Sequence, residues 1–332
     1  MTIDVHAHIL ERGLLETLEK APNEILAVER IEGEFRISGY GLADRLLYDL
    51  EGRLEDLERR GVVLQLIAPP PPLWSKPAWA AGVEESRLLN AATRRAVAVG
   101  RGRLAGLLVP ALAEPEKIVD ELRRGLGEGG FAGVALPTTV AGHPLDEAAF
   151  ESLFLFLSSN RIFTFMHSVT SEPRRLLGDY TLNTVIGWPT ETAIAISRLI
   201  FSGVLERHPL NLVLSHGGGI LPFLAGRIDL AYSAPNYEAN PACRRSISRP
   251  PSAYLKDLYF DTVVASPLSL SLVIEFAGAD HVVFGSDYPY EIGDAEGRLA
   301  SPALLSLDPS VRAKILAGNA RQMLGLASRW HA

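Results

Sequence analysis

The chain has 332 residues, 47% of them hydrophobic, and a formal charge of −7. That is enough apolar material for a large core and too little positive charge for a nucleic-acid surface. No apolar run is long enough to span a bilayer and no secretory leader is evident, so a cytoplasmic protein with a small-molecule partner is expected. Cys243 is the single cysteine, which leaves no intrachain disulfide and no multi-cysteine zinc site.

The first element is Asp4-Val5-His6-Ala7-His8. Side chains alternate along a strand, so His6 and His8 point the same way and can hold one metal ion together. Residues 10 to about 45 are irregular in pattern and carry Gly33, Gly39 and Gly41, which predicts a small insertion after strand one. A helix is expected over Asp49–Arg60, where Leu50, Leu54 and Leu57 share a face, with Gly61 ending it. Val62–Ile67 reads as a buried strand. Pro69 to Pro72, followed by Leu73-Trp74, form a stiff loop that can wall a pocket.

Strands are then predicted at Leu104–Val109, Phe131–Leu136, Ile162–His167, Asn211–His216, Leu258–Val263 and His281–Ser286. Helices are predicted around 83–99, 115–127, 146–159, 190–206, 220–233 and 267–277, and from Pro309 to Leu324. Eight apolar strands alternating with helices predict an α/β fold, a (β/α)8 TIM barrel occupying 1–332 as one domain. A doubly wound sheet is the alternative, but no G-x-G-x-x-G follows the first strand. Gly217-Gly218-Gly219 lacks the Lys-Ser/Thr of a phosphate loop.

In such a barrel the chemistry lies at the C-terminal ends of the strands. His8, His167, His216 and Asp287 all stand there. His6, His8, His167 and Asp287 make a reasonable shell for a zinc-like ion completed by water, with His216 beside that water as acid or base. His143, His208 and His281 fall on the other side of the barrel.

These segments, with Gly187-Trp188-Pro189-Thr190-Glu191-Thr192, Ser215-His216-Gly217-Gly218-Gly219, Leu221-Pro222-Phe223 through Gly226-Arg227, Gly285-Ser286-Asp287-Tyr288-Pro289 and Ala317-Gly318-Asn319-Ala320, resemble the amidohydrolase superfamily. The likeness is to its decarboxylase branch, typified by 2-amino-3-carboxymuconate-6-semialdehyde decarboxylase and including the γ-resorcylate decarboxylases. The resemblance implies one divalent ion, zinc or in some members manganese, on His6, His8, His167 and Asp287. It also implies proton handling by His216; the proton that reaches carbon is expected from Asp287 or from water relayed by His216. Strand four ends Ala135-Leu136-Pro137 without the lysine that bridges two metals in binuclear members.

Arg227 matches an arginine that reaches across a homodimer interface to the neighbouring site. A second arginine after strand one, Arg45 or Arg36, is expected to complete a carboxylate clamp, although the spacing to Arg53 departs from the family pattern. Trp74, Tyr180, Asn183 and Tyr288 are candidate pocket walls. The expected activity is nonoxidative decarboxylation of an aromatic or muconate-semialdehyde-type acid, using a metal-bound water with His216 as its acid and base. Hydrolysis or hydration of a lactone, amide or unsaturated acid is the alternative, and a non-catalytic metal-binding scaffold is a third reading. Trp188 departs from the best-known decarboxylase and suggests an altered substrate.

Overall fold

A computed structural model describes residues 1–20, 27–37, 41–42, 45–76, 79–169, 175–233, 242–294 and 301–326. Eight strands pair in parallel and in chain order. They are β1 (Thr2–His8), β2 (Val62–Ala68), β3 (Leu104–Leu108), β4 (Phe131–Pro137), β5 (Phe163–His167), β6 (Asn211–Leu214), β7 (Tyr259–Asp261) and β8 (Val282–Val283). The ring closes where β1 meets β8 and the segment after it. Val5 donates its N–H to the Phe284 carbonyl at 3.0 Å, Asp287 to His6 at 2.8 Å and His8 to Tyr288 at 2.7 Å. The expected (β/α)8 barrel is the observed fold.

Helices over Leu50–Arg59, Val83–Val99, Ile118–Gly127, Glu151–Ser159, Trp188–Phe201, Leu221–Ser233 and Pro267–Ala277 form the outer layer. The first begins where Asp49 accepts the Gly52 N–H at 3.1 Å, a side-chain cap on an orphan donor. Leu54 and Leu57 then pack against Ala7, Ile67 and Ala96. Full burial of Leu57 contributes on the order of 2 kcal/mol.

Four expectations are corrected. The segment after β1 holds a helix, Arg12–Lys20, and a three-stranded antiparallel sheet of Val28–Ile31, Glu34–Ile37 and Gly41–Leu42. Its period-2 signal is only a few residues long, with Phe35 and Ile37 buried and Glu34 and Arg36 exposed. The helix expected over 190–206 starts at Trp188, directly after a π turn at Asn183–Gly187, and breaks at Gly203, whose φ is 78°. The final helix is interrupted by a second π turn at Lys314–Gly318. β6 and β8 are shorter than predicted. His216 therefore lies past its strand with φ 54°, followed by Gly217, Gly218 and Gly219 at 60°, 74° and 63°. A Cβ on Gly219 would overlap the Pro189 carbonyl, so this reversal needs glycine.

Candidate metal centre

β1 carries His6 and His8 on one face, and Val5 and Ala7 pack into the core behind them. His6 gives its Nδ1–H to Asp261 Oδ2 at 2.7 Å, which leaves Nε2 as the free face of the ring. His167 gives its Nδ1–H to the Ser168 carbonyl at 2.8 Å, and its buried Nε2 has no partner. Asp287 Oδ1 lies 3.1 Å from His6 Nε2 and 3.0 Å from His8 Nε2. Asp287 Oδ2 lies 3.5 Å from His216 Nε2. One ligand atom each from His6, His167, His216 and Asp287 falls within a 4.8 Å span, and His8 Nε2 sits 3.3 Å from His6 Nε2. Five side chains from β1 and from the ends of β5, β6 and β8 thus converge.

The electrostatics of this cluster suit a cation. Burial pulls the His6 imidazole down, but Asp287 and Asp261 more than reverse it and hold it up at about 10. Burial lowers His8, and burial with the neighbouring imidazoles takes His167 well below its ordinary value. Burial raises Asp287, yet His6, His216 and His8 hold it well below the usual carboxylate range. Asp287 is thus ionised and His8 and His167 are held neutral, the forms that coordinate a divalent ion, while His6 carries a proton that a bound cation would displace. The donor set of nitrogen and carboxylate oxygen fits zinc or manganese.

Residues 3–326 match the family model described as Amidohydrolase. The chain belongs to the amidohydrolase family. It is 27% identical to the 2-amino-3-carboxymuconate-6-semialdehyde decarboxylase of Dictyostelium discoideum, over 98% of this chain and 92% of that one. It is 28% identical to a 6-methylsalicylic acid decarboxylase of Aspergillus aculeatus, over 97% and 96%. Among solved structures, the IDCase of Metarhizium anisopliae in apo form superposes with a TM-score of 0.84 at 22% identity, covering 98% and 97%. A dihydroxybenzoic acid decarboxylase from Polaromonas, solved with bound manganese and 2-nitroresorcinol, superposes at 0.74 and 21% identity, covering 98% and 97%.

Other residues singled out in the sequence lie elsewhere in this amidohydrolase. Arg45 is exposed, with Nε 3.4 Å from Asp49, and Arg36 is exposed, 3.6 Å from Glu29. Neither lines the cavity beside the cluster, since Arg36 stands on the small sheet and Arg45 on the short turn Arg45–Leu47. Trp74 is buried and donates its indole N–H to the Pro69 carbonyl at 3.0 Å. Tyr180 is 89% exposed, and Tyr288 is a buried strut beneath the Arg53 and Arg60 guanidinium groups. Asn183 opens the π turn, one residue before Thr184 on the cavity wall. Arg227 is exposed on the helix Leu221–Ser233. His143 and His208 pair with Glu147 and Glu151, and His281 with the Leu258 carbonyl.

The structure gives roles to Asp261, Asp4 and Gln65, for which the sequence reading had none, and places Arg53 and Trp188. Asp261 ends β7, and besides His6 it accepts the N–H groups of Gly217 at 2.8 Å and Val263 at 3.1 Å. The rule that pointed to Asp287, an acid at a strand's C-terminal end, also points to Asp261. Beneath the cluster, Asp4 accepts from Ser286 Oγ at 2.6 Å and Gln65 Nε2 at 2.8 Å. Arg53 donates to Gln65 Oε1 at 2.7 Å and to the carbonyls of His8 and Leu46. Trp188 lies 5.6 Å from the His167 ring and 6.2 Å from that of His216. A cavity of about 480 Å³ opens beside His216 and Asp287, walled by the helices that start at Trp188, Leu221 and Pro267.

Proposed function

We propose that this amidohydrolase is a metal-dependent nonoxidative decarboxylase of an aromatic or muconate-semialdehyde-type carboxylic acid. One observation carries the reading. Buried imidazoles and a carboxylate converge at the C-terminal mouth of the barrel and open, through His216 and Asp287, into a cavity of small-ligand size. His6, His8, His167 and Asp287 would hold one divalent ion, zinc first and manganese second, and β4 ends Leu136-Pro137 with no lysine to bridge a second. When bound, the ion polarises a substrate oxygen.

Decarboxylation breaks the bond between the carboxyl carbon and the ring or alkenyl carbon that bears it. Carbon dioxide departs, the electron pair stays on the ring or alkenyl carbon, and that carbon must take a proton. His216 and Asp287 both face the cavity and lie 3.5 Å apart, so a proton can pass between them and a substrate seated above. Asp261 supports both sides of this arrangement, fixing the His6 ring and the Gly217 N–H after His216.

The carboxylate grip is assigned to Arg227 of a second copy. Phe223 and Leu230, 79% and 60% exposed, share a helix face with Arg227 at spacings of four and three residues. An apolar face with a central arginine suits a homodimer interface. No helix among the described residues is long and apolar enough to cross a membrane, which accords with a cytoplasmic setting, and we treat 1–332 as one domain.

The test is carbon dioxide release from hydroxybenzoates, aminobenzoates and carboxymuconate semialdehydes. Protein stripped by a chelator is compared with protein reloaded with zinc or manganese. Release that returns with the metal is expected. Silence from folded, metal-loaded dimer, with turnover of lactones or amides, would make it a hydrolase instead.

A further inference from the structure

The wall of the cavity differs in character from its floor. Trp188, Phe223, Val264, Leu272, Val273 and Ile292 supply most of it, and Thr184 and Ser269 are its polar side chains apart from the proton-handling pair. Among the described residues that line it there is no lysine or arginine. The indole of Trp188 is inclined by only 27° to the His216 imidazole, which presents a flat face next to the reacting end. Leu272 and Ile292 are 43% and 44% exposed, apolar surface in contact with water until something covers it.

Resting on the decarboxylase reading, we propose that this site selects a planar aromatic acid with one carboxylate and an apolar ring substituent, Trp188 and Leu272 being the specificity-determining residues. The single carboxylate is directed to the metal centre and to Arg227 of a second copy. A second carboxylate would find no cation on this wall, only the hydroxyls of Thr184 and Ser269, and a second hydroxyl turned toward Leu272 would exchange most of its water for aliphatic carbon. An alkyl group at the same place gains by leaving water. The cavity of about 480 Å³ has room for such a substituent beside the ring. Trp188 stacks the ring and Leu272 receives the substituent.

The experiment compares kcat/KM of the metal-loaded enzyme for 6-alkyl-2-hydroxybenzoates, 2,6-dihydroxybenzoate and 2-amino-3-carboxymuconate semialdehyde. Calorimetric binding of a 3-alkylphenol and of resorcinol, the ring products, runs in parallel. The alkyl compound is expected to lead the dihydroxy one by roughly 10- to 200-fold and to lead the dicarboxylate further. Leu272→Asn should cut that preference by about tenfold at unchanged metal content, and Trp188→Ala should weaken binding of both phenols. A lead for the dihydroxy acid or the dicarboxylate overturns this proposal while the carbon dioxide released upholds the decarboxylase reading. No release from any acid, with the alkylphenol still bound more tightly, sinks that reading and keeps the selectivity. Neither release nor binding overturns both, and an unaltered preference in Leu272→Asn overturns the assignment of that residue.

Discussion

The floor of the site and its wall are built by opposite means. On the floor, His6, His8, His167, Asp4, Gln65, Arg53, Asp261, Ser286 and Asp287 are at most 2% exposed, and bonds between strands fix many of them. The wall is made largely of helices whose apolar side chains, Phe223 and Leu272 among them, stand partly in water and offer dispersion contacts alone. A floor residue cannot change without leaving a buried polar group unpaired, whereas a wall residue can be exchanged at the cost of a few contacts. The reaction type is thus tied to the strands, and substrate choice is free to vary with the helices.

Substitutions can break that division or sharpen it. The largest effect is expected at the join, where His216→Ala should lower kcat by roughly 10²- to 10⁴-fold with metal content unchanged by elemental analysis. Normal turnover in the purified variant would move the proton to Asp287. Next, Arg53→Met leaves Gln65 Oε1 and the carbonyls of His8 and Leu46 without this donor. At about 1–3 kcal/mol for each buried group left unsatisfied, the denaturant midpoint should fall clearly. A shift under about 0.5 kcal/mol, typical of surface sites, would show that the floor does not depend on it.

Asp261→Asn should weaken metal affinity by about 10- to 100-fold, read by competition with a chelator. It alters the Nδ1 partner of His6 and the brace on Gly217 together. The smallest effect belongs to the outer helices. Arg87, with Arg124, holds the Glu121 carboxyl down at about 2. Because the folded value is depressed, that stabilisation is present above the ordinary 4.5 and is lost as pH falls toward 2. Arg87 is half exposed, so Glu121→Gln should cost under about 1 kcal/mol at neutral pH and flatten the thermal midpoint across that acid range.

The same division governs what could be read without coordinates. Strand-end chemistry was legible because a barrel rule turns a one-dimensional position into a direction, and His6, His8, His167, His216 and Asp287 all obey it. Asp261 obeys it too, but only the distance to His6 reveals its use. Gln65 and Arg53 carry no motif, and although Asp4 opens the segment of the histidine pair its use stayed hidden, since its partners lie on other elements and Ser286 is 282 positions away. Arg45 and Arg36 are near β1 in sequence, yet Arg36 rides on the small sheet that the pattern of the insertion did not disclose, and Arg45 opens the short turn Arg45–Leu47 and pairs with Asp49. The π turn before Trp188 has no sequence signature of its own. It changes which residue of that helix begins the wall.

The closure of the barrel also has a consequence in time. Asp287 lies 281 positions after His6 and 279 after His8, so the histidine pair is synthesised long before the carboxylate that joins it. The two halves of the donor set meet through the backbone bonds that seal β1 to the segment after β8. Until that seam forms, a nascent chain offers a bare histidine pair with weak hold on an ion. Once it forms, an ion bound across it favours the sealed state by mass action. Metal capture is therefore expected only after Asp287 has been made, with the ion acting as a latch on the seam between β1 and the segment after β8.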